Sequence, residues 1–153
     1  MELKKALFQQ CQEYVNNRLE TIQDIISSNQ NALQSETKSS AGDKHETGRA
    51  MLQLEMEKAS QQLASITQMK TILEKIDVAN PENSGLKIIH LGSVVFTEKA
   101  TYFLSISAGE FTIEEKQYFA ISFSSPIGKL LLGKVENDVV AFNGNAIKIN
   151  KIL

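Results

Sequence analysis

Two acidic residues, Asp43 and Glu46, stand three positions apart in the stretch Gly42-Asp43-Lys44-His45-Glu46. Side chains at positions i and i+3 of a helix point the same way, so this pair would present two carboxylates together where a helix begins. Carboxylate oxygens are ligands that Mg²⁺ accepts, commonly one or two of them beside water and phosphate oxygens. The same spacing also fits a capping box in its Asp form, with both acids near the positive end of the helix dipole. Spacing alone favours capping, and the two roles are compatible.

The residues around this pair add charge but no second set of reactive groups. Lys38, Lys44 and Arg49 lie around it, and their ordinary role is that of solubilising surface charge. Glu36 fits a solvated loop residue. His45 has no second His or Cys nearby, so it makes a poor transition-metal site and is expected to be exposed. The sequence offers no nucleophile–base–acid set and no phosphate-cradling Gly loop, so we expect no catalytic site within this chain.

Composition excludes several classes of protein. The chain has 153 residues, a net charge of −2 and a single cysteine, Cys11. This charge is unlike that of a general nucleic-acid binder, so any contact with nucleic acid should be local or mediated by a partner. One cysteine allows neither an internal disulfide nor a Cys-based zinc site. No apolar run approaches the ~20 residues of a membrane span, and residues 1–5 lack the apolar stretch of a signal peptide, which leads us to expect a cytoplasmic protein.

Two long amphipathic segments, residues 2–34 and 44–77, would position the acidic pair at the polar break between them. In both segments apolar side chains recur at steps of three and four, which is the spacing of one helix face. We predict an antiparallel coiled-coil hairpin over residues 1–79 with an acidic tip near residues 36–46. The alternative is that both helices pack on the C-terminal half as a compact α+β fold. Narrow apolar stripes and strongly polar opposite faces favour the hairpin.

The C-terminal half, residues 86–153, has the pattern of a small β domain. A linker with Pro and Gly precedes it, and runs of β-branched and aromatic residues follow. Ser125-Pro126 predicts the start of one short helix, and Gly133 its end. Asn143-Gly144-Asn145 predicts a tight β-hairpin. The prediction for this half is about five short antiparallel strands and one helix. The strands are expected at residues 93–97, 101–106, 118–123, 138–142 and 146–152, and 108–110 is expected to be a turn.

Both halves resemble the GreA/GreB family of bacterial transcript cleavage and elongation factors. The C-terminal resemblance lies in the run Ser125-Pro126-Ile127-Gly128-Lys129-Leu130-Leu131-Leu132-Gly133-Lys134 followed by Asp138-Val139-Val140. The tip of that family reads Gly-Asp, two residues, then Glu, as Gly42, Asp43 and Glu46 do here. The resemblance covers nearly the whole chain in the right order. It implies a coiled-coil hairpin followed by an antiparallel β domain with an FKBP-like fold.

What the resemblance implies about function is an accessory protein of bacterial RNA polymerase that has no enzyme activity of its own. The hairpin would enter the secondary channel, where Asp43 and Glu46 would help to hold a Mg²⁺ ion shared with the polymerase. Lys38, Lys44 and Arg49 would meet phosphates of the nascent RNA, a contact made only within the polymerase complex. The protein would bind no cofactor alone and have no membrane partner. Because its apolar seam closes within the chain, we expect a monomer.

The resemblance also implies a docking surface on the C-terminal domain. Ser125, Pro126 and Lys129 fall in the matching motif, and the family uses this short helix and its sheet to contact the rim of the polymerase. Capping and packing of the helix are equally good roles for these three residues.

Three alternative functions remain open on the sequence. The first is a channel-binding regulator without cleavage activity, because Thr47 replaces the Asn that commonly follows the tip Glu and Gly48 weakens the helix start by roughly 1 kcal/mol relative to Ala. The second is a coiled-coil interaction module that dimerises through its seam. The third is an FKBP-like isomerase, which is disfavoured because it needs an aromatic-lined pocket and the chain has no Trp and seven Phe.

Overall fold

The protein is α+β, with an N-terminal helical hairpin followed by a six-stranded mixed sheet. The computed structural model describes the backbone of residues 2–38, 43–78 and 87–153, and their side chains except those of residues 36–38 and 43–46. Helix α1 spans Glu2–Lys38 and helix α2 spans Asp43–Glu74. The predicted helical hairpin is therefore confirmed, with α1 longer at its C-terminal end than the predicted segment and α2 ending before residue 77.

A narrow seam joins the two helices. Ile22 and Ile66 line one groove between the helices, and Asn29 and Ala59 line a second, as antiparallel neighbours require. A repeat of seven residues is the coiled-coil spacing, which keeps one stripe of each helix facing its partner. Buried side chains recur at this interval at Val15, Ile22 and Asn29 of α1 and at Ala59, Ile66 and Leu73 of α2.

The chain divides into two compact units. The first, called here the sheet unit, consists of Met1–Tyr14 and Thr71–Leu153 and so includes the first turns of α1 and the end of α2. The second, called the hairpin unit, consists of Val15–Lys70.

The sheet has the strand order β3-β4-β2-β1-β6-β5. A short helix, α3, spans Pro126–Leu131 between β4 and β5, as the sequence predicted. The strands are β1 Val94–Thr97, β2 Thr101–Ser105, β3 Gly109–Ile113, β4 Lys116–Ser122, β5 Val139–Phe142 and β6 Asn145–Ile152.

The prediction of an entirely antiparallel domain with five strands is wrong. Strand β3 begins at Gly109, within the predicted turn at 108–110, and β4 lies parallel to β2. The cause is a tight turn at Glu114 and Glu115, both with positive φ, which folds β4 back along β3. Since β3 takes the outer position, β4 is left to run beside β2 in the same direction. Only Phe111 and Ile113 mark β3 as a strand in the sequence, which is too short an alternation to distinguish it from a loop.

The hairpin predicted around Asn143 and Gly144 is confirmed. Both residues have positive φ, 51° and 79°, and Phe142 pairs with Asn145 across the turn. Such a two-residue turn matches the twist of the strands that it joins, and Asn-Gly adopts it at little cost.

Each face of the sheet is buried against helix. On one face, Val95, Leu104 and Ile149 belong to a cluster that also contains Leu131 of α3. On the other face, Ser105 of β2 meets α1, since its Oγ lies 3.7 Å from the Sγ of Cys11. Neighbouring residues of one strand point to opposite faces, so Leu104 and Ser105 pack on opposite sides of the sheet.

Candidate functional site

The acidic tip is defined at the level of the backbone. Asp43 is the first residue of α2 and Glu46 lies in its first turn, so the spacing of three falls on a helix start, as predicted. The side chains of both acids lie outside the described residues, and so do those of Glu36, Lys38, Lys44 and His45. Gly42 lies wholly outside them. The roles of the two carboxylates in capping and in binding Mg²⁺ therefore stay predictions.

The described part of α2 next to the tip carries one basic and two large apolar side chains that are exposed. Arg49 is exposed, and α2 continues without interruption through Gly48. Met51 and Leu54 expose 63% and 67% of their side chains, and they stand three positions apart on α2. This pair was not among the residues that the sequence pattern predicted to be functional. The available signal was that both residues fall outside the apolar stripe that Leu52 and Met56 continue.

The start of α3 is fixed by a local network centred on Ser125. Its Oγ accepts a hydrogen bond from the Gly128 N–H at 3.1 Å and donates one to the Ser122 carbonyl oxygen at 2.6 Å. Pro126 occupies the first helical position, where its missing N–H has no partner to lose. Ser125 and Pro126 therefore have a structural role in starting α3, whatever else they contact.

Gly128 explains why this turn can be so tight. A Cβ on Gly128 would overlap the carbonyl oxygen of Ser122, and it would lie 2.9 Å from Ser125 Oγ and 3.1 Å from Phe123 Cα. The helix thus packs directly on the end of β4. Lys129 in the middle of α3 is exposed, so its ammonium group is available to a partner.

Six partly buried apolar side chains, called here the α3 surface, pack against the buried cluster that contains Leu131 of α3. They remain open to solvent on their outer side. Tyr102 also approaches Phe119, with the ring centroids 6.2 Å apart, and burial raises the pKa of the Tyr102 hydroxyl. The α3 surface consists of Tyr102, Ile121, Phe123, Ile127, Leu130 and Phe142.

The sequence pattern predicted the strands and the helix that contribute to the α3 surface, but it did not predict that these side chains come together. Tyr102 and Phe119 come from neighbouring strands whose parallel pairing the sequence did not predict. Alternation within each run, as at Tyr102 and Leu104, was the only signal of a shared face.

Cys11 is a core residue, as predicted from its place on the apolar stripe. It is fully buried, and burial raises the pKa of its thiol to about 11, an effect that the hydrogen bond with Ser105 partly opposes. A thiol with this pKa is almost wholly protonated at neutral pH, so it is a poor nucleophile and a poor metal ligand.

Within the described ranges, no group of three His, Cys, Asp or Glu side chains is arranged to hold a metal ion, and no helix is long and apolar enough to cross a membrane. His90 is exposed, with its Nδ1 2.8 Å from the carbonyl oxygen of Leu91. The amino-acid sequence matches no protein-family model and no curated protein.

Proposed function

We propose that this protein is an accessory factor of bacterial RNA polymerase of the Gre type. The observation that carries the proposal is the order of parts. A long helical hairpin, whose second helix begins at an Asp-x-x-Glu sequence, precedes a sheet with a Ser-Pro-capped short helix. The GreA/GreB resemblance requires these parts in this order. The chain would act in the cytoplasm as a cofactor of the polymerase, with no reaction of its own.

The hairpin has the length that such a role needs. Helix α2 has 32 residues and α1 has 37, so each is roughly 50 Å long at 1.5 Å per residue. A helical hairpin keeps its backbone polar groups bonded internally, which lets a narrow element enter a channel without unpaired backbone. Asp43 and Glu46 would then reach the catalytic centre of the polymerase.

At that centre the two acids would supply oxygen ligands to a Mg²⁺ ion, together with oxygens of the polymerase and of the RNA. A second bound metal can lower the pKa of a water molecule and stabilise the leaving oxygen during phosphodiester hydrolysis. The part played by this chain is to bring negative charge and ligand oxygens to the right place. Arg49, exposed in the next turn of α2, would contact RNA phosphate.

The α3 surface is our candidate for docking. Its partly buried aromatic and aliphatic side chains are of the types enriched at the centres of protein interfaces, and the exposed Lys129 gives it a positive charge. A partner with an apolar patch bordered by acidic residues would fit it. The FKBP-like character of this domain is part of the same proposal, supported by a short helix that packs on one face of the sheet. A shared fold would not bring isomerase activity with it.

Binding is tested first, by pull-down of bacterial core RNA polymerase with the wild-type chain and competition by a known Gre factor. Binding that the competitor displaces is the expected result, and failure to bind contradicts the proposal. Lys129→Glu should weaken binding because it reverses the charge on the α3 surface. Lys99→Glu makes the same change at another exposed lysine of the sheet unit and should leave binding unchanged.

Cleavage is tested next, on backtracked elongation complexes. Asp43→Asn combined with Glu46→Gln should retain polymerase binding but lose stimulated cleavage by at least roughly tenfold, about 1.4 kcal/mol of transition-state stabilisation. The matched control is Glu57→Gln with Glu74→Gln, which removes two exposed acids from the same helix. Full stimulation by the tip variant would exclude the metal role.

A second candidate function is a channel-binding regulator without cleavage activity. It is favoured by Gly48, which lies within the start of α2 and loosens the helix that must hold both acids in place. Binding to polymerase without stimulated cleavage by the wild-type chain would establish it.

A further inference from the structure

The hairpin unit has a second line of side chains beside its buried seam. Thr21, Ile25 and Ser28 of α1 and Lys58, Gln62 and Ser65 of α2 line a groove between the helices. In each helix these positions are separated by steps of four and three, the spacing of another helix-packing stripe. Two adjoining cavities, about 340 and 580 Å³ in volume, share Ile25 and Gln62 and make the groove continuous.

The seam is thin where the larger cavity lies. Asn29 faces the groove region that Ala59 also lines, a pair with much less apolar volume than Ile22 and Ile66 in the neighbouring layer. The Nδ2 atom of Asn29 is buried and makes no hydrogen bond within the described part of the chain, which is unfavourable for an amide donor. Ile25, close by in the same groove, exposes 41% of its side chain. A gap and an exposed apolar side chain therefore lie next to each other on one surface.

We propose that this groove is a self-association surface and that its occupant is the hairpin unit of a second copy of the chain. A two-fold axis brings the same surface of two copies together. When a protrusion and a gap adjoin on that surface, the protrusion of each copy can fill the gap of the other. An axis crossing the groove between the heights of Ile25 and Ala59 would place each Ile25 over the gap of the other copy. It would also bring the two Gln62 side chains together, and an amide both donates and accepts hydrogen bonds.

Charge supports an antiparallel arrangement of the two hairpins. Asp24 lies next to Ile25 and Lys58 lies next to Ala59, and both line the larger cavity. Because the axis lies between the heights of Ile25 and Ala59, a two-fold rotation brings Asp24 of one copy close to the height of Lys58 of the other. Exposed pairs of this kind contribute little affinity but favour one orientation over others.

This surface is distinct from the seam within the chain, which is why the sequence alone predicts a monomer. The test of self-association is separate from the test of polymerase binding, because it is made on the isolated chain. Sedimentation equilibrium over a wide concentration range should show a reversible dimer. Ile25→Glu should weaken dimerisation at least roughly tenfold, since it puts two carboxylates near the axis. Val139→Glu makes the comparable change at a side chain that is 59% exposed in the sheet unit and should have no effect.

A cross-linking experiment tests the position of the axis. Gln62→Cys should form an intermolecular disulfide under mild oxidation because the two copies of residue 62 would meet. Glu57→Cys, exposed on the same helix outside the groove, is the control and should cross-link more slowly. Buried Cys11 is present in both variants. A wild-type chain that stays monomeric throughout, equal effects of the two Glu substitutions, or equal cross-linking rates would each overturn self-association through this groove.

Discussion

The sheet unit and the hairpin unit are stabilised to different extents by burial. In the sheet unit, Phe103, Leu104 and Ile149 are wholly buried. In the hairpin unit the buried seam includes Ala59, a small side chain, and Asn29, an amide whose Nδ2 has no hydrogen-bond partner among the described residues. Because apolar burial is the main term that offsets chain entropy, the hairpin unit should open locally at lower free energy than the sheet unit unfolds.

This difference bears on where function can lie. Most of the surface of a two-helix hairpin lies outside its seam, so polar residues there can be substituted at little cost to folding. The residues at the start of α3, in contrast, cannot change freely because packing constrains them. Ser125 caps a helix and Gly128 fits against backbone, so any docking role there has to coexist with a structural one.

The largest expected effect is that of Gly128→Ala in the sheet unit. The added methyl group would overlap the Ser122 carbonyl oxygen, so β4 and α3 must move apart, at a cost of about 3 kcal/mol of unfolding free energy. Urea unfolding measures the loss. Gly144→Ala is the control, because its Cβ would meet nothing within 4 Å and only its positive φ would cost, roughly 1 kcal/mol. Equal losses would mean that close packing of α3 is not the constraint.

Alkaline pH should weaken the sheet unit through Cys11. Its pKa is raised from 9.0 to about 11 in the folded chain, so between these values the unfolded chain gives up the thiol proton more readily. The stability contribution is complete below pH 9 and lost as the pH rises through 11, about 2–3 kcal/mol at 1.36 kcal/mol per unit. Unfolding of wild type and Cys11→Ala from pH 8 to 11 isolates this contribution. Parallel pH profiles would contradict it.

Asn29→Leu should stabilise the hairpin unit by about 1–2 kcal/mol, because it removes a buried donor that has no partner in the described part of the chain and adds apolar volume near Ala59. Hydrogen exchange of amides in residues 15–35 and 47–70 should slow, while exchange in β2 and β6 should not change. Asn16→Leu, at an exposed position of α1, is the control. If Asn29→Leu speeds exchange in the hairpin, the amide has a partner that stabilises the native seam.

The elements of this fold were largely predictable because their signals are local. Long stripes with helical spacing predicted α1 and α2, and Ser125-Pro126 and Asn143-Gly144 predicted α3 and the last β-hairpin through cap and turn chemistry. Strand β3 was missed because the turn that follows it is formed by Glu114 and Glu115, and glutamate residues rarely have positive φ. Neither residue is of a type that favours such a turn, so the sequence pattern did not predict it.

The candidate sites were less predictable because they depend on residues brought together from distant parts of the chain. The α3 surface combines Tyr102 with Phe142, forty residues apart, through a strand order that no local pattern encodes. The groove of the hairpin unit requires the register between α1 and α2. The Asp43 and Glu46 spacing, in contrast, is a local signal, and its meaning depends on a partner outside the chain.

The smallest expected effect concerns a surface contact of the sheet unit. Lys151 holds its ammonium nitrogen 5.7 Å from the centroid of the Phe96 ring, and an exposed cation–π contact contributes about 0.5 kcal/mol. Lys151→Met keeps the aliphatic stem and should lose about that amount in urea unfolding, whereas Lys116→Met, exposed on β4, should lose less. A loss above about 2 kcal/mol would mean that surface contacts help to stabilise the sheet unit. Core burial alone would then no longer account for the difference between the two units.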